Sequence, residues 1–348
     1  RQPQMCIRDR STQDWKLADL NEAYSSANGT GYYQQGMVAV YERSNQQWEY
    51  RFSMASPRPG IQEFFGSSIS ISTTGTDYYM AVSAPGALDS TGRVYLFSNI
   101  AGAGWTMMQN LPSEMSLANS ALADQSTMAH GILNTDTEMV KSGDQYGFAV
   151  SMNRNGDVLA VSAPYSDGKY FENYRGVWQS TVEYFEGDVV QHDGLYYSLA
   201  PDTSDSTYTN TGTLPTTLPW VSIGDSTIAP YGKVFVYQKI AGQYVLTQTI
   251  GASNLADLSD MPKTEKINPG DQFGFALALD WSGTSLVVTS PLADINLQNQ
   301  GSVYVLRSTG TQFRVKQKLE SFEIYPNEYF GYGVSISPDG AKIAVGAR

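Results

Sequence analysis

Apolar and polar residues alternate with period two through most of the chain, and the alternation returns in blocks. One block reads Phe65-Gly66-Ser67-Ser68-Ile69-Ser70-Ile71-Ser72, followed by Met80-Ala81-Val82-Ser83-Ala84-Pro85. A second reads Tyr146-Gly147-Phe148-Ala149-Val150-Ser151-Met152, then Leu159-Ala160-Val161-Ser162-Ala163-Pro164. A third reads Phe273-Gly274-Phe275-Ala276-Leu277, then Leu286-Val287-Val288-Thr289-Ser290-Pro291. The fourth reads Phe330-Gly331-Tyr332-Gly333-Val334-Ser335-Ile336, then Ile343-Ala344-Val345-Gly346-Ala347. Alternation puts successive side chains on opposite faces, so these segments are predicted strands and not helices. A third strand of pattern Gly-x-Val begins at Gly92, Gly232 and Gly301, with another copy upstream at Gly36. A fourth strand follows each, opened by an aromatic: Trp48, Trp105, Tyr244 and Phe313.

Gly36 and Gly92 are 56 residues apart (92 − 36), and Gly274 and Gly331 are 57 apart (331 − 274). Four strands per period of this length predict the four-stranded blades of a β-propeller, an all-β fold. Small residues in Ala-Val-Ser-Ala suit crowded inner strands. The aromatic before each Phe-Gly or Tyr-Gly glycine suits the wedge between blades, and the glycine allows close approach or an unusual φ. Turn chemistry separates the first two strands at Asn155-Gly156-Asp157, Ser282-Gly283-Thr284 and Pro338-Asp339-Gly340.

The predicted organisation has four parts. Residues 1–10 match nothing that follows and read as a cloning or assembly scar, carrying the single cysteine, Cys6. Residues 11–164 and 232–348 carry propeller blades, about four in all. Residues 165–231 interrupt the second complete repeat between its second and third strands. That stretch is too long and too aromatic for a simple loop, so it is predicted to be a small all-β module. At the ends, only the last two strands of one blade and the first two of another are recognisable, so the expectation is a piece of a larger ring.

Composition narrows the partners. The 348 residues carry 34 acidic and 22 basic side chains, a formal net charge of −12. Nucleic-acid phosphates and anionic lipid are therefore poor partners. No run of about 18 apolar residues occurs, so no membrane span is expected in this chain. The 23 tyrosines and 47 glycines and prolines (32 + 15) agree with short strands and tight turns.

Phe-Gly followed by Ala-Pro at this spacing, complete in the first block and varied in the others (Tyr146-Gly147 in the second, Ser290-Pro291 in the third), resembles the FG-GAP repeat of integrin α-subunit propellers and of many surface proteins. The resemblance implies an extracellular or cell-surface protein of recognition or adhesion, and FG-GAP propellers usually have seven blades. Integrin-type repeats often hold calcium in an Asp-x-Asp-x-Asp-Gly loop. The matching turns here are short and offer fewer oxygens than calcium prefers. Asn153, Asn155 and Asp157 are the nearest approach to such a site. The expectation is a plain turn and no cofactor.

Within the insertion, Trp178, Tyr184, Gly187, Asp188, Val190, Gly194, Tyr197 and Trp220 occur in the order of the chitin-binding type-3 modules of chitinases and cellulases. His192 stands where that family often has tyrosine. The resemblance implies binding of a chitin- or cellulose-like polysaccharide, with sugar faces stacked on aromatic rings. The candidate binding residues are Trp178, Tyr184, Tyr196, Tyr197, Tyr208 and Trp220; Trp178, Tyr184 and Trp220 also suit the module's own core. Gly187-Asp188 and Asp193-Gly194 read as hairpin turns. Both the insertion and the long connection near 112–142 should leave from one face of the disc, which is where ligand is expected.

Catalytic signatures are lacking. His130 and His192 are the only histidines and have no metal-ligand company. Glu183, Glu186 and Asp188 do not form a recognisable acid–base pair. Asn28-Gly29-Thr30 fits the glycosylation tripeptide for a secreted eukaryotic chain. The reading is an extracellular recognition protein whose propeller presents a sugar-binding module. The alternative is a non-catalytic targeting part of a secreted glycoside hydrolase, with its active site elsewhere.

Overall fold

The structure, a computed structural model, describes residues 34–112, 143–166 and 230–348 apart from 59, 61, 253, 256–257, 259–266, 269, 296, 311 and 323–324. It also describes the strand segments 5–6, 132–133, 139–140, 174–177, 183–184, 189–192, 195–199, 210–211 and 220–224. The chain is all-β, built from four-stranded antiparallel blades in propeller arrangement.

Blade one contributes Met37–Ser44 and Gln47–Ala55. Blade two is Ile69–Thr74, Asp77–Ala84, Arg93–Asn99 and Trp105–Leu111. Blade three is Val150–Met152, Val158–Ala163, Lys233–Ile240 and Gln243–Gly251. Blade four is Leu277–Leu279, Ser285–Ser290, Ser302–Ser308 and Phe313–Glu320. Blade five contributes Gly333–Ile336 and Ile343–Gly346. Each complete blade is a meander in chain order, as the alternating pattern requires.

The core lies between blades. In the second strand of blade two, Met80, Val82 and Ala84 pack toward blade one, while Tyr79 and Ala81 pack toward blade three. Blade three repeats this, with Leu159, Val161 and Ala163 facing back and Ala160 facing forward. Both faces of the second strand are thus buried, which is why it has no polar alternation.

Each junction uses the same backbone bond. Phe65, Tyr146, Phe273 and Phe330 donate their N–H to the carbonyls of Gln35, Thr91, Tyr231 and Gln300, at 2.7, 2.9, 2.9 and 2.9 Å. Each acceptor immediately precedes the glycine that opens the third strand of the preceding blade. The aromatic ring then turns into its own blade. Phe65 meets Tyr95, Tyr146 meets Phe235, and Phe273 meets Tyr304, edge to face with centroids 5.7, 5.3 and 5.4 Å apart. Such pairs contribute about 0.5–1.5 kcal/mol beyond their burial.

The serine in Ala-Val-Ser-Ala has a role beyond small size. Ser83 Oγ accepts the Ser68 N–H, Ser162 Oγ accepts that of Ala149, and Thr289 Oγ1 accepts that of Ala276, at 2.9, 3.0 and 3.0 Å. These buried hydroxyls satisfy amides where the first strand has not yet begun its ladder. Serines of the first strand act between blades. Ser68 and Ser70 accept the Val150 and Met152 N–H groups, and Ser151 accepts that of Leu279. The first strand's open edge is thereby covered.

Along the fourth strands, glutamines join the blades. Gln109 donates to the Tyr244 carbonyl at 3.0 Å and accepts its N–H at 2.8 Å. Gln248 does the same to Phe313, at 2.9 and 2.7 Å.

The structure adds one contact and corrects one expectation. Met5–Cys6 pairs with Ala39 and Val40, so part of the leader lies against blade one. The outer edge of Met37–Ser44 is thereby paired at Ala39 and Val40. In the insertion, the strands flanking Gly187-Asp188 do not pair with each other. Glu183–Tyr184 pairs with Asn210–Thr211, whereas Val189–His192 joins Tyr174–Val177 and Leu195–Leu199. The second predicted hairpin, across Asp193-Gly194, is present, with His192 opposite Leu195.

Candidate functional site

The insertion leaves blade three through a closed neck. Gly232 N–H donates to the Ser166 carbonyl at 2.9 Å, and Ser166 Oγ donates to Asp144 Oδ2 at 3.3 Å. The connection after Leu111 starts at the same end of the blades, since Leu111 pairs with Val94 at the start of a third strand. Both elaborations therefore leave from the face where the first strands begin.

On that face lies a row of aromatic rings. Tyr165, at the root of the insertion, meets Phe148 edge-on at 5.8 Å. Phe148 meets Phe275 at 5.2 Å, and Phe275 meets Tyr332 at 5.1 Å, both tilted. Arg348 closes the row, its guanidinium 5.2 Å from the Tyr332 ring and donating to the hydroxyl at 3.2 Å. Tyr165, Phe148 and Phe275 are half-buried and Tyr332 is 45% exposed. Phe148, Phe275 and Tyr332 each follow a Phe-Gly or Tyr-Gly glycine, and the first strands carry them to one end of the blades in register. Sequence reasoning missed them, although an aromatic after that glycine in three of four repeats was the available signal. The remaining repeat has Ser67 there.

The predicted sugar-binding residues fare differently. Tyr184 is 1% exposed and Tyr197 is 6% exposed, and both pack with Val190 and Leu199 in the module's core. Tyr184 thus takes the core role the sequence also allowed it, and Tyr197 is corrected from a binding to a structural residue, because an enclosed ring cannot stack on a sugar. Tyr196 and Trp220 lie in the strands Leu195–Leu199 and Trp220–Gly224. Trp178, Tyr208, Glu186, Asp188, His130 and Asn28 lie outside the described residues.

The turn proposed as the nearest thing to a calcium loop is occupied by its own hydrogen bonds. Asn153 Oδ1 accepts the N–H groups of Asp157 and Val158 at 3.0 and 3.1 Å, and its amide donates to Asp157 Oδ1. In blade four Asp280 takes the same place. Burial works against its charge. Donors from Ser285, Ser282 and Thr284 outweigh this and hold the carboxyl below the usual range. Among the described residues, no three His, Cys, Asp or Glu side chains form a metal-binding group.

These turns also join the blades on the opposite face. Thr73 N–H donates to the Arg154 carbonyl, Arg154 to Trp281, and Trp281 to Pro338, at 2.9, 3.1 and 3.1 Å. The Arg154 guanidinium lies 4.7 Å from the Trp281 ring centroid. A cavity of about 60 Å³ opens there, lined by Ile71, Tyr78, Met152, Arg154 and Trp281 among others. It holds little more than one or two waters.

No protein-family model matches the chain, and no curated protein matches it in sequence. Among solved structures, a 6-phosphogluconolactonase-type protein from Bacteroides fragilis is 11% identical, with a TM-score of 0.34. The match covers 92% of this chain and 74% of that one. A hypothetical selenium-binding protein from Sulfolobus tokodaii is 9% identical, with a TM-score of 0.22, covering 84% of this chain and 72% of that one. Neither likeness bears on chemistry.

Proposed function

We propose that the chain is a non-catalytic recognition unit of an extracellular or cell-surface protein, binding polysaccharide on the face that carries the insertion. The observation behind this reading is the row Tyr165–Phe148–Phe275–Tyr332 at the insertion's root. Sugar rings present apolar C–H faces, and aromatic rings with a negative π-face receive them. A row of rings suits an extended chain of sugars better than a single small molecule. The FG-GAP-like repeats support the surface setting. The chitin-binding-type pattern around Trp178 and Trp220 supports a β-linked glycan of chitin or cellulose type.

The experiment is a binding isotherm of the full chain against insoluble chitin and cellulose and their soluble oligomers. Wild type is expected to bind. Phe275→Ala and Tyr332→Ala should each weaken binding on the order of tenfold, with melting temperature recorded to separate folding from contact. Equal affinity in folded variants would remove the row from the site. Wild type binding neither polymer would end the reading.

A further inference from the structure

Every repeat carries an acid two residues before its junction aromatic: Glu63, Asp144, Asp271 and Glu328. Glu63, Asp144 and Asp271 are buried and Glu328 is partly buried. All four lie in the connection entering a blade on the insertion face; for Glu63, Asp144 and Asp271 that connection meets the loop between the blade's second and third strands. Asp144 accepts from Ser166 at the insertion's neck. Asp271 Oδ2 accepts the Asn268 N–H at 2.8 Å. The Glu63 carbonyl accepts the Gly86 N–H at 3.1 Å, which ties its connection to the loop of blade two. Glu328 Oε1 accepts from Ser321 at 2.6 Å. Glu63 Oε2 and Glu328 Oε2 are buried and accept no hydrogen bond among the described residues.

An acid at the same place in four repeats, enclosed in the three whose blades are complete, is more than a packing accident. A carboxyl enclosed with an unfilled oxygen is comfortable neutral and costly ionised. We infer that Glu63 and Asp271 make the insertion face pH-responsive, the loops they tie being held down in mild acid and loosened as pH rises toward neutrality. This does not depend on the sugar reading and is measured without ligand.

Asp271 carries the clearest case. Its carboxyl is pushed up to about 6, chiefly by burial; Asp294 in the facing loop adds to the shift, while the Asn268 amide and Lys318 oppose it. Lys318 also pairs with Glu320 at 3.3 Å, so its charge is shared. Glu63 is raised too, first by burial, against the opposing Ser56 hydroxyl and the Arg93 guanidinium. Arg58 and the Tyr95 hydroxyl belong to the same cluster. The sign follows directly. A folded-state value above the ordinary 3.8 favours the fold when protonated. That stabilisation is complete below about pH 4 and is lost as pH rises through about 6.

The test is hydrogen exchange on the full 348-residue chain at pH 5 and pH 7.5, corrected for intrinsic rates, following residues 267–274 and 292–301. Opening in wild type should be about tenfold more frequent at pH 7.5. Asp271→Asn, which keeps shape and acceptor, should abolish this difference and exchange at pH 7.5 as slowly as wild type does at pH 5. Glu63→Gln should do the same for residues 62–66. Wild-type exchange that is equal or slower at pH 7.5 would overturn the inference, and so would Asp271→Asn retaining the dependence or opening more often at pH 7.5.

Discussion

Gly92→Ala is expected to leave the chain unfolded or insoluble, a loss of more than about 4 kcal/mol. Gly92 stands at φ +93°, and a Cβ there would lie 2.0 Å from the Tyr146 carbonyl oxygen and 2.5 Å from its nitrogen. Both are backbone atoms of the next blade, joined to Gly92 in a parallel bridge, so no side chain can move aside. Gly36, Gly232 and Gly301 face Phe65, Phe273 and Phe330 in the same way, at 2.2, 2.0 and 2.1 Å. The control is Gly75→Ala. That glycine also has positive φ, +64°, but nothing lies within 4 Å of the added carbon. Its cost should be only the backbone strain, roughly 1–2 kcal/mol. Soluble yield and thermal melting of the two variants distinguish blade contact from strain. Equal behaviour would mean that the close approach at Gly92 is not what holds the junction.

The second large effect is expected at Gln248. Its amide is buried and makes two bonds to the Phe313 backbone across the gap between blades three and four. Gln248→Ala leaves a buried N–H and a buried C=O without partners, at about 1–3 kcal/mol for each group. In a chain of this size about 1 kcal/mol moves Tm by roughly 2–4 °C, so a fall of about 5–15 °C is expected. Gln317 holds the same position in blade four but is exposed. Gln317→Ala should therefore stay within about 0.5 kcal/mol of wild type. A Gln248→Ala variant melting with wild type would show that water replaces the clasp and that the outer strands are not sealed.

Strand type and blade period were legible in the sequence because burial between two blades leaves a repeated mark: short apolar runs in the second strands, with alternation in the strands beside them. Phe65, Tyr146, Phe273 and Phe330 were legible for the same reason: a large ring beside a glycine leaves a strong local mark. What escaped notice was carried by single residues per blade. Gln109 and Gln248 reach the backbones of Tyr244 and Phe313, 135 and 65 residues away. One polar residue in a fourth strand does not disturb the pattern, so nothing local advertises its partner. The acids at Glu63, Asp144, Asp271 and Glu328 recur as regularly as the aromatics, yet a carboxylate in a connection reads as ordinary surface until its burial is seen. The candidate site divides likewise. The face was foreseeable from strand direction alone, whereas the row through Phe148, Phe275 and Tyr332 required the blades to be stacked. Tyr184 takes the core place that was one of its two readings, whereas Tyr197 was read only as a binder, because a family pattern marks aromatic positions without saying which way each ring points.

The aromatic row depends on one geometric fact: successive repeats are stitched at the same point by the same backbone contact. A crystal structure of the chain measures this directly. It should show Phe65, Tyr146, Phe273 and Phe330 each donating its N–H to the residue before a third-strand glycine of the preceding blade, near 2.7–2.9 Å, with the rings of Phe65, Tyr146 and Phe273 in superposable surroundings. If any two of those rings sat in unrelated environments, or those segments were helical, the stacking of repeats would be contradicted and the aromatic row would lose its basis.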